Sequence, residues 1–147
     1  MIDTHAQAIV VTTDRSRLDV DTIHGFLKTA YWSTGIPRDV VERAIEHSIC
    51  FGAFEGDRQV GFARVITDRA TFGYVSDVFV LESHRGRGVG KRLMSAIMSH
   101  PELQGLRRWT LFTRDAHGLY RHYGFGEGRH PERLMERFNE HPYGAAV

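Results

Sequence analysis

The amino-acid sequence predicts a mixed α/β (α+β) fold, a mostly antiparallel central sheet flanked by helices. Three observations carry this. Two amphipathic helical patterns fall between the first strand-like run and the rest of the chain; three further strand-like runs then follow one another through very short turns; and the last of these runs into alternating glycines that open another helix. Short connections join antiparallel neighbours, whereas the helices between other runs supply layers for the sheet faces. The resulting order is β-α-α-β-β-β-α-β-α-β-β.

Ala8 to Thr12 is apolar and β-branched, the composition of a first strand. Ile23, Phe26, Leu27, Ala30 and Tyr31 recur at helical spacing, with Asp19 or Asp21 as cap and Gly35 as the stop. Pro37 suits the first position of a second helix, whose Val40, Val41, Ala44 and Ile45 form one apolar face. Ile49 to Phe54, Gln59 to Thr67 and Phe72 to Leu81 are strand-like, separated only by Glu55 to Arg58 and Asp68 to Thr71. After the glycines of Ser83 to Gly90, a helix presents Val89, Leu93, Ala96 and Ile97 on one face. Arg107 to Thr113 reads as a strand and Asp115 to His122 as a short helix; extended structure returns from Phe125, with Leu134 to Phe138 as the final strand.

At 147 residues, 41% apolar and 25% charged, the chain has ordinary globular composition, and residues 1–147 read as a single domain. No run approaches the roughly 18 apolar residues of a membrane span, and Met1 to His5 lack the charged-then-apolar pattern of an export signal. The lone Cys50 permits no internal disulfide and sits in an apolar run, so it is expected as a buried core thiol in a reducing compartment. A cytoplasmic protein without membrane partners is the expectation.

The net charge of +1 conceals an asymmetry. Residues 1 to 60 hold nine acids and six bases; residues 61 to 147 hold nine acids and thirteen bases, and Arg85, Arg87, Lys91 and Arg92 fall within eight positions. These four surround Gly86, Gly88 and Gly90, at the point where a strand turns into a helix. Backbone N–H groups converging on a helix N-terminus, with no side chain blocking approach, make an anion site, and the flanking bases point to phosphate or pyrophosphate. A nucleotide-binding P-loop fails here, because Arg85 stands where its first glycine belongs and Arg92 where a Ser or Thr must hold magnesium. A dinucleotide fingerprint fails on spacing, since Lys91 follows Gly86-Arg87-Gly88-Val89-Gly90, and on context, since this strand comes after antiparallel hairpins. The pattern R/Q-x-x-G-x-G/A is met by Arg85, Gly88 and Gly90.

With that motif the chain resembles the GNAT superfamily of acetyl-CoA-dependent N-acetyltransferases. Ala116 to Phe125 also resembles the family's A-x-x-x-Y-x-x-x-G-F, about thirty residues after the loop, and the likeness extends to the order of elements along nearly the whole chain. The resemblance implies a GNAT-like sheet with acetyl-CoA as co-substrate. The backbone of Arg87 to Lys91, with Arg85 and Gly86 at the loop's entry, would hold the pyrophosphate. Val78, Phe79 and Val80 would offer strand-like hydrogen bonds to the pantetheine arm, and Tyr120 would sit near the thioester sulfur.

Acetyl transfer to an amine requires a neutral amine, a polarised carbonyl and a proton for the departing thiolate. Tyr120 is the candidate proton donor, and Asp77 is the candidate base, directly or through a water. Where some members of the family carry a glutamate on this strand, this chain has Tyr74. Tyr31, Trp32 and Tyr74 are the candidate acceptor-binding residues, in the region where the first two helices meet, and the acidic excess of residues 1 to 60 favours a cationic acceptor. The expected partner is therefore a primary amine on a small molecule or peptide. Nine histidines invite a metal reading, but none stands at ligand spacing with Cys or a carboxylate, so no metal is expected. The competing classes are a non-catalytic acyl-CoA-binding module and a nucleic-acid binder; the latter ranks last, because the basic residues occupy one turn without interleaved aromatics. A homodimer is compatible with the family, and Leu134 to Phe138 is a candidate surface for it.

Overall fold

The computed structural model describes residues 7–144. Five strands form one sheet in chain order: β1 (Ile9–Thr12), β2 (Ile49–Glu55), β3 (Arg58–Thr67), β4 (Phe72–Val80) and β5 (Arg108–Leu111). The first four pair antiparallel, and only β5 lies parallel to its neighbour β4. The helices are α1 (Val20–Leu27), α2 (Arg38–Glu46), α3 (Val89–Ser99) and α4 (His117–Arg121). The mixed, mostly antiparallel α/β fold expected from the sequence is the one observed.

Each sheet face has its own core. Ile49, Phe51, Ala53, Ala63, Val65 and Val75 alternate onto the face covered by Leu93, Met94 and Ile97 of α3, while Cys50, Phe62 and Phe79 face Ile23, Leu27, Val41 and Ile45 of α1 and α2. Period-two alternation in strands against helical stripes produces both layers. Close approach is built in at Gly61 of β3: a Cβ there would lie 3.1 Å from Val89 Cγ1 and 3.2 Å from the Phe79 carbonyl oxygen. That clearance lets the start of α3 settle on the sheet. Cys50 is buried, as expected, and loss of water pushes its thiol pKa up to about 11.

Several boundaries differ from the sequence expectation. Asp19 is the cap of α1, accepting from the Thr22 N–H and hydroxyl, but the helix ends at Leu27, eight residues before Gly35. Gly35, at φ +80°, instead closes the following turn by donating to the Lys28 carbonyl. Pro37 precedes α2 as its cap residue and is not its first helical position. β5 is shorter than Arg107 to Thr113.

The two expected strands after α4 do not form. From Gly126 to Gly144 only Tyr143 is shielded from solvent, and the segment Leu134 to Phe138 pairs with no strand. Its composition suits a strand, but a strand also needs a neighbour with free backbone groups. Tyr143 packs among the residues of the α1/α2 core, so this part of the chain is tied to that face without entering the sheet. Among the described residues no helix is long and apolar enough to cross a membrane.

Candidate functional site

The site begins with a defect in β4. Phe62 and Arg64 of β3 lie opposite Phe79 and Ser76, so one residue of β3 faces two of β4. Asp77 takes the extra position with φ +55°. Such a bulge bends the strand and re-aims side chains. Pairing of β4 with β5 stops at Val75 and Leu111, although β4 continues to Val80. Among the described residues, the edge of Ser76 to Val80 that faces away from β3 is consequently left without a strand partner.

That edge leads to the glycine loop. Gly86 and Gly88 both stand at φ +77°, a backbone region that L side chains rarely adopt, and no atom lies within 4 Å of where their Cβ atoms would be. Gly88 caps α3 without any side-chain hydrogen bond, so the first N–H groups of the helix face an open cradle. The bases around it are not equivalent. Arg85 Nε donates to the Val80 carbonyl, Arg92 to the Ile9 carbonyl, and Arg87 to Glu55 Oε2 at 2.7 Å. Glu55 also meets the buried His84 at 3.2 Å; these two contacts hold its carboxyl below the usual range. The β2–β3 hairpin is thereby fastened to the loop.

Tyr120 lies on α4, buried, and its hydroxyl has no hydrogen-bond partner among the described residues. Tyr123, three residues on, has its hydroxyl tied to the Lys91 carbonyl and Ser95. Burial raises the Tyr120 pKa, and Tyr31 and Asp115 add to the rise. The phenol is therefore held in its protonated, donating form.

Asp77 of the bulge joins an aromatic cluster. Trp32 Nε1 donates to Asp77 Oδ1 at 2.9 Å, and Arg64 Nε donates to Asp77 Oδ2 at 2.9 Å. Arg64 reaches Ser48 as well, so the carboxylate binds the connection after α1 to both β3 and the bulge. Tyr31 stacks edge-on against Trp32, and the Arg114 guanidinium lies 3.8 Å from the Tyr31 ring centre. Tyr74 and Phe112 approach at 6.0 Å between ring centres. Burial raises the Tyr74 pKa, with Asp77 and then Glu136 contributing in the same direction and Arg64 opposing.

The acetyltransferase (GNAT) domain model matches residues 46–127, from the end of α2 through the loop to just past α4. That span is more than half of the chain. This chain belongs to the GNAT family of acetyltransferases. A protein of Gibberella zeae that bears an acetyltransferase name is 34% identical over 134 residues, covering 76% of this chain and 75% of that one. A crystal structure from Xanthomonas campestris, of a protein assigned to the GNAT family, is 53% identical, with a TM-score of 0.91 over 95% of this chain and 99% of that chain. An acetyltransferase from Clostridium acetobutylicum, solved with acetyl-CoA, shares the fold at a TM-score of 0.66 and 13% identity, over 89% of this chain and 96% of that one.

Within this GNAT chain the sequence-derived residues fall into two groups on either side of the β4 bulge. Val78 to Val80 and Arg85 to Lys91 line the unpaired edge and the glycine cradle. Tyr31, Trp32 and Asp77 are in contact, Asp77 lies near enough to Tyr74 to influence it, and Tyr31 near enough to Tyr120. Five of the nine acids of residues 1 to 60 are engaged elsewhere: Asp14 and Asp19 cap helices, Asp21 and Glu42 bind Arg38, and Glu55 faces the loop. Asp77 and Glu136, which influence Tyr74, and Asp115, which influences Tyr120, all come from the second part of the chain. Sequence reasoning passed over Arg64, Arg114, Glu55 and His84. Arg64 alone carried a signal, as a charge inside the apolar run Val60 to Ile66. Among the described residues no cluster of three His, Cys, Asp or Glu suits a metal ion.

Proposed function

We propose that this GNAT acetyltransferase moves the acetyl group of acetyl-CoA to a primary amine of a small molecule or peptide, by direct transfer with both substrates bound. The observation that carries this reading is the continuity of the unpaired β4 edge with the uncapped glycine start of α3. The edge suits an extended amide-bearing arm and the cradle suits a pyrophosphate. The acetyl-CoA found in the Clostridium acetobutylicum relative supports the same ligand.

In this reading Val78, Phe79 and Val80 bind the pantetheine amides. The N–H groups from Arg87 to Lys91 hold the pyrophosphate, with Arg85 and the side chain of Lys91 adding charge. Acetyl-CoA supplies the acetyl thioester. As the acyl carbon passes from sulfur to nitrogen, the amine loses a proton and the sulfur gains one. Tyr120 donates to the sulfur, a role suited to a hydroxyl that reaches the surface from a buried ring and has no hydrogen-bond partner among the described residues. Both oxygens of Asp77 are already engaged, which favours positioning over proton abstraction: the carboxylate holds Trp32 over the acceptor. The amine proton then leaves through water. Tyr31 and Tyr74 complete the aromatic wall. The single buried thiol agrees with a cytoplasmic setting.

The test is free-thiol release from acetyl-CoA with a panel of primary amines, peptides and aminoglycosides. Amine-dependent release is expected. Acetyl-CoA binding without such release would instead indicate a non-catalytic acyl-CoA-binding module, and no binding would overturn both readings.

A further inference from the structure

We propose that Glu55 is a positioning residue for acetyl-CoA: from the end of β2 its carboxylate braces the glycine loop through both His84 and Arg87, so that the cradle is already shaped before the cofactor arrives. This role rests on the acetyl-CoA reading above and adds to it a residue that lies outside the loop. The loop has little of its own to hold it. Gly86 and Gly88 stand at φ +77°, nothing lies within 4 Å of where their Cβ atoms would be, and among the described residues the N–H groups of Gly86, Arg87 and Gly88 donate to no backbone carbonyl. Glycine loses more conformational freedom on ordering than any other residue, so such a segment needs anchors beyond itself.

Side chains supply the anchors. Arg85 Nε donates to the Val80 carbonyl at 3.2 Å, a tie within the same strand and loop. His84 and Arg87 reach further, and both end on Glu55: His84 Nε2 lies 3.2 Å from Oε1, and Arg87 Nη2 donates to Oε2 at 2.7 Å. His84 is buried, and the Ser83 hydroxyl, 2.7 Å from its Nδ1, fixes the ring from the other side. Glu55 is itself held by the sheet. It stands on an inner strand, opposite Ile9 of β1 and Arg58 of β3, and Arg17 donates to the Gly56 carbonyl in the turn that follows. Charge and geometry act here with opposite signs. A carboxylate beside a pyrophosphate cradle repels the ligand and occupies Arg87, so by charge alone its removal would tighten binding. As a brace, its removal loosens the loop, and the entropy of ordering it is then lost from the affinity for acetyl-CoA.

Calorimetric titration of the full chain with acetyl-CoA, together with steady-state kinetics, decides between the two signs. Glu55→Ala is expected to raise both the Kd and the KM for acetyl-CoA about tenfold, with kcat and the amine KM within about twofold. Glu55→Gln, which keeps the shape and an acceptor oxygen but loses the charge, is expected to weaken binding less than Glu55→Ala does. In the ligand-free protein, the amide order parameters of Gly86 and Gly88 are expected to fall from about 0.85 to below about 0.6 in Glu55→Ala, while those of β2 and β3 stay in place. Glu55→Ala binding as tightly as the unaltered chain, either variant binding more tightly, or unchanged order parameters in the loop would each overturn the brace while the acetyl-CoA reading stands. An unaltered chain that binds no acetyl-CoA overturns that reading, and the brace with it.

Discussion

Tyr120 combines three properties that rarely coincide: it is buried, its hydroxyl has no protein partner among the described residues, and its environment keeps it protonated. Tyr120→Phe is expected to lower kcat by about a hundredfold, the low end for a lost general acid, with the acetyl-CoA KM within about twofold, as steady-state kinetics will show. Because its pKa is raised, the donating form persists as pH rises past the ordinary tyrosine range, so no alkaline loss of kcat through Tyr120 is expected below about pH 10. Asp77 makes a contrasting case. As a positioning residue linking Trp32 and Arg64, its substitution by Asn should raise the amine KM while the acid limb of the pH profile stays in place. Trp32→Phe, which removes the N–H that Asp77 Oδ1 accepts, should produce a similar KM effect, and the double variant little more, because both substitutions act on one network. Disappearance of the acid limb in Asp77→Asn would return the residue to the role of base. Cys50 offers a simple check of packing: it should react with a thiol reagent such as Ellman's only on unfolding.

At the scale of elements, the glycine loop was readable because its demand is local. Only glycine accepts φ +77° without strain, and three glycines among four bases have few other uses. Gly88→Ala is expected to lower stability by about 1 kcal/mol through that strain alone, since the added methyl meets nothing within 4 Å. It should also weaken acetyl-CoA binding more than amine binding, measurable by calorimetry and thermal melts. The three hairpin strands and α3 were equally legible, each announced by alternation or helical spacing bounded by a turn. The final two strands were not. Leu134 to Phe138 has strand-like residues, but whether it pairs depends on which backbone edges its own fold leaves within reach. The bulge in β4 was invisible for a similar reason: nothing in Ser76-Asp77-Val78 distinguishes it, and it exists only as a mismatch in register with β3.

For the whole molecule, folding redistributes the charge asymmetry read along the sequence. The basic focus does surround the cradle, although Arg87 and Arg92 are largely engaged by Glu55 and Ile9. Of the acids of the first part, Asp14, Asp19, Asp21, Glu42 and Glu55 are engaged by caps and ion pairs, and the charges around Tyr31, Trp32 and Tyr74 come from Arg64, Asp77, Arg114 and Glu136. Tyr143 joins the C-terminal end of the described chain to the α1/α2 core, near Asp77 and Arg64. Tyr143→Ala is expected to lower stability by about 1–2 kcal/mol and to change the amine KM without altering the acetyl-CoA KM. A melt together with separate substrate titrations checks both parts. By itself the sequence determined the fold class, the glycine loop and the two signatures of a GNAT chain, because glycine geometry, periodicity and turn chemistry act over a few neighbouring residues. Only the tertiary structure decided what Asp77 touches, where the acids lie and whether the last segment pairs. Those outcomes depend on residues 13 to 45 positions apart meeting across a bent strand, and no local pattern records such meetings.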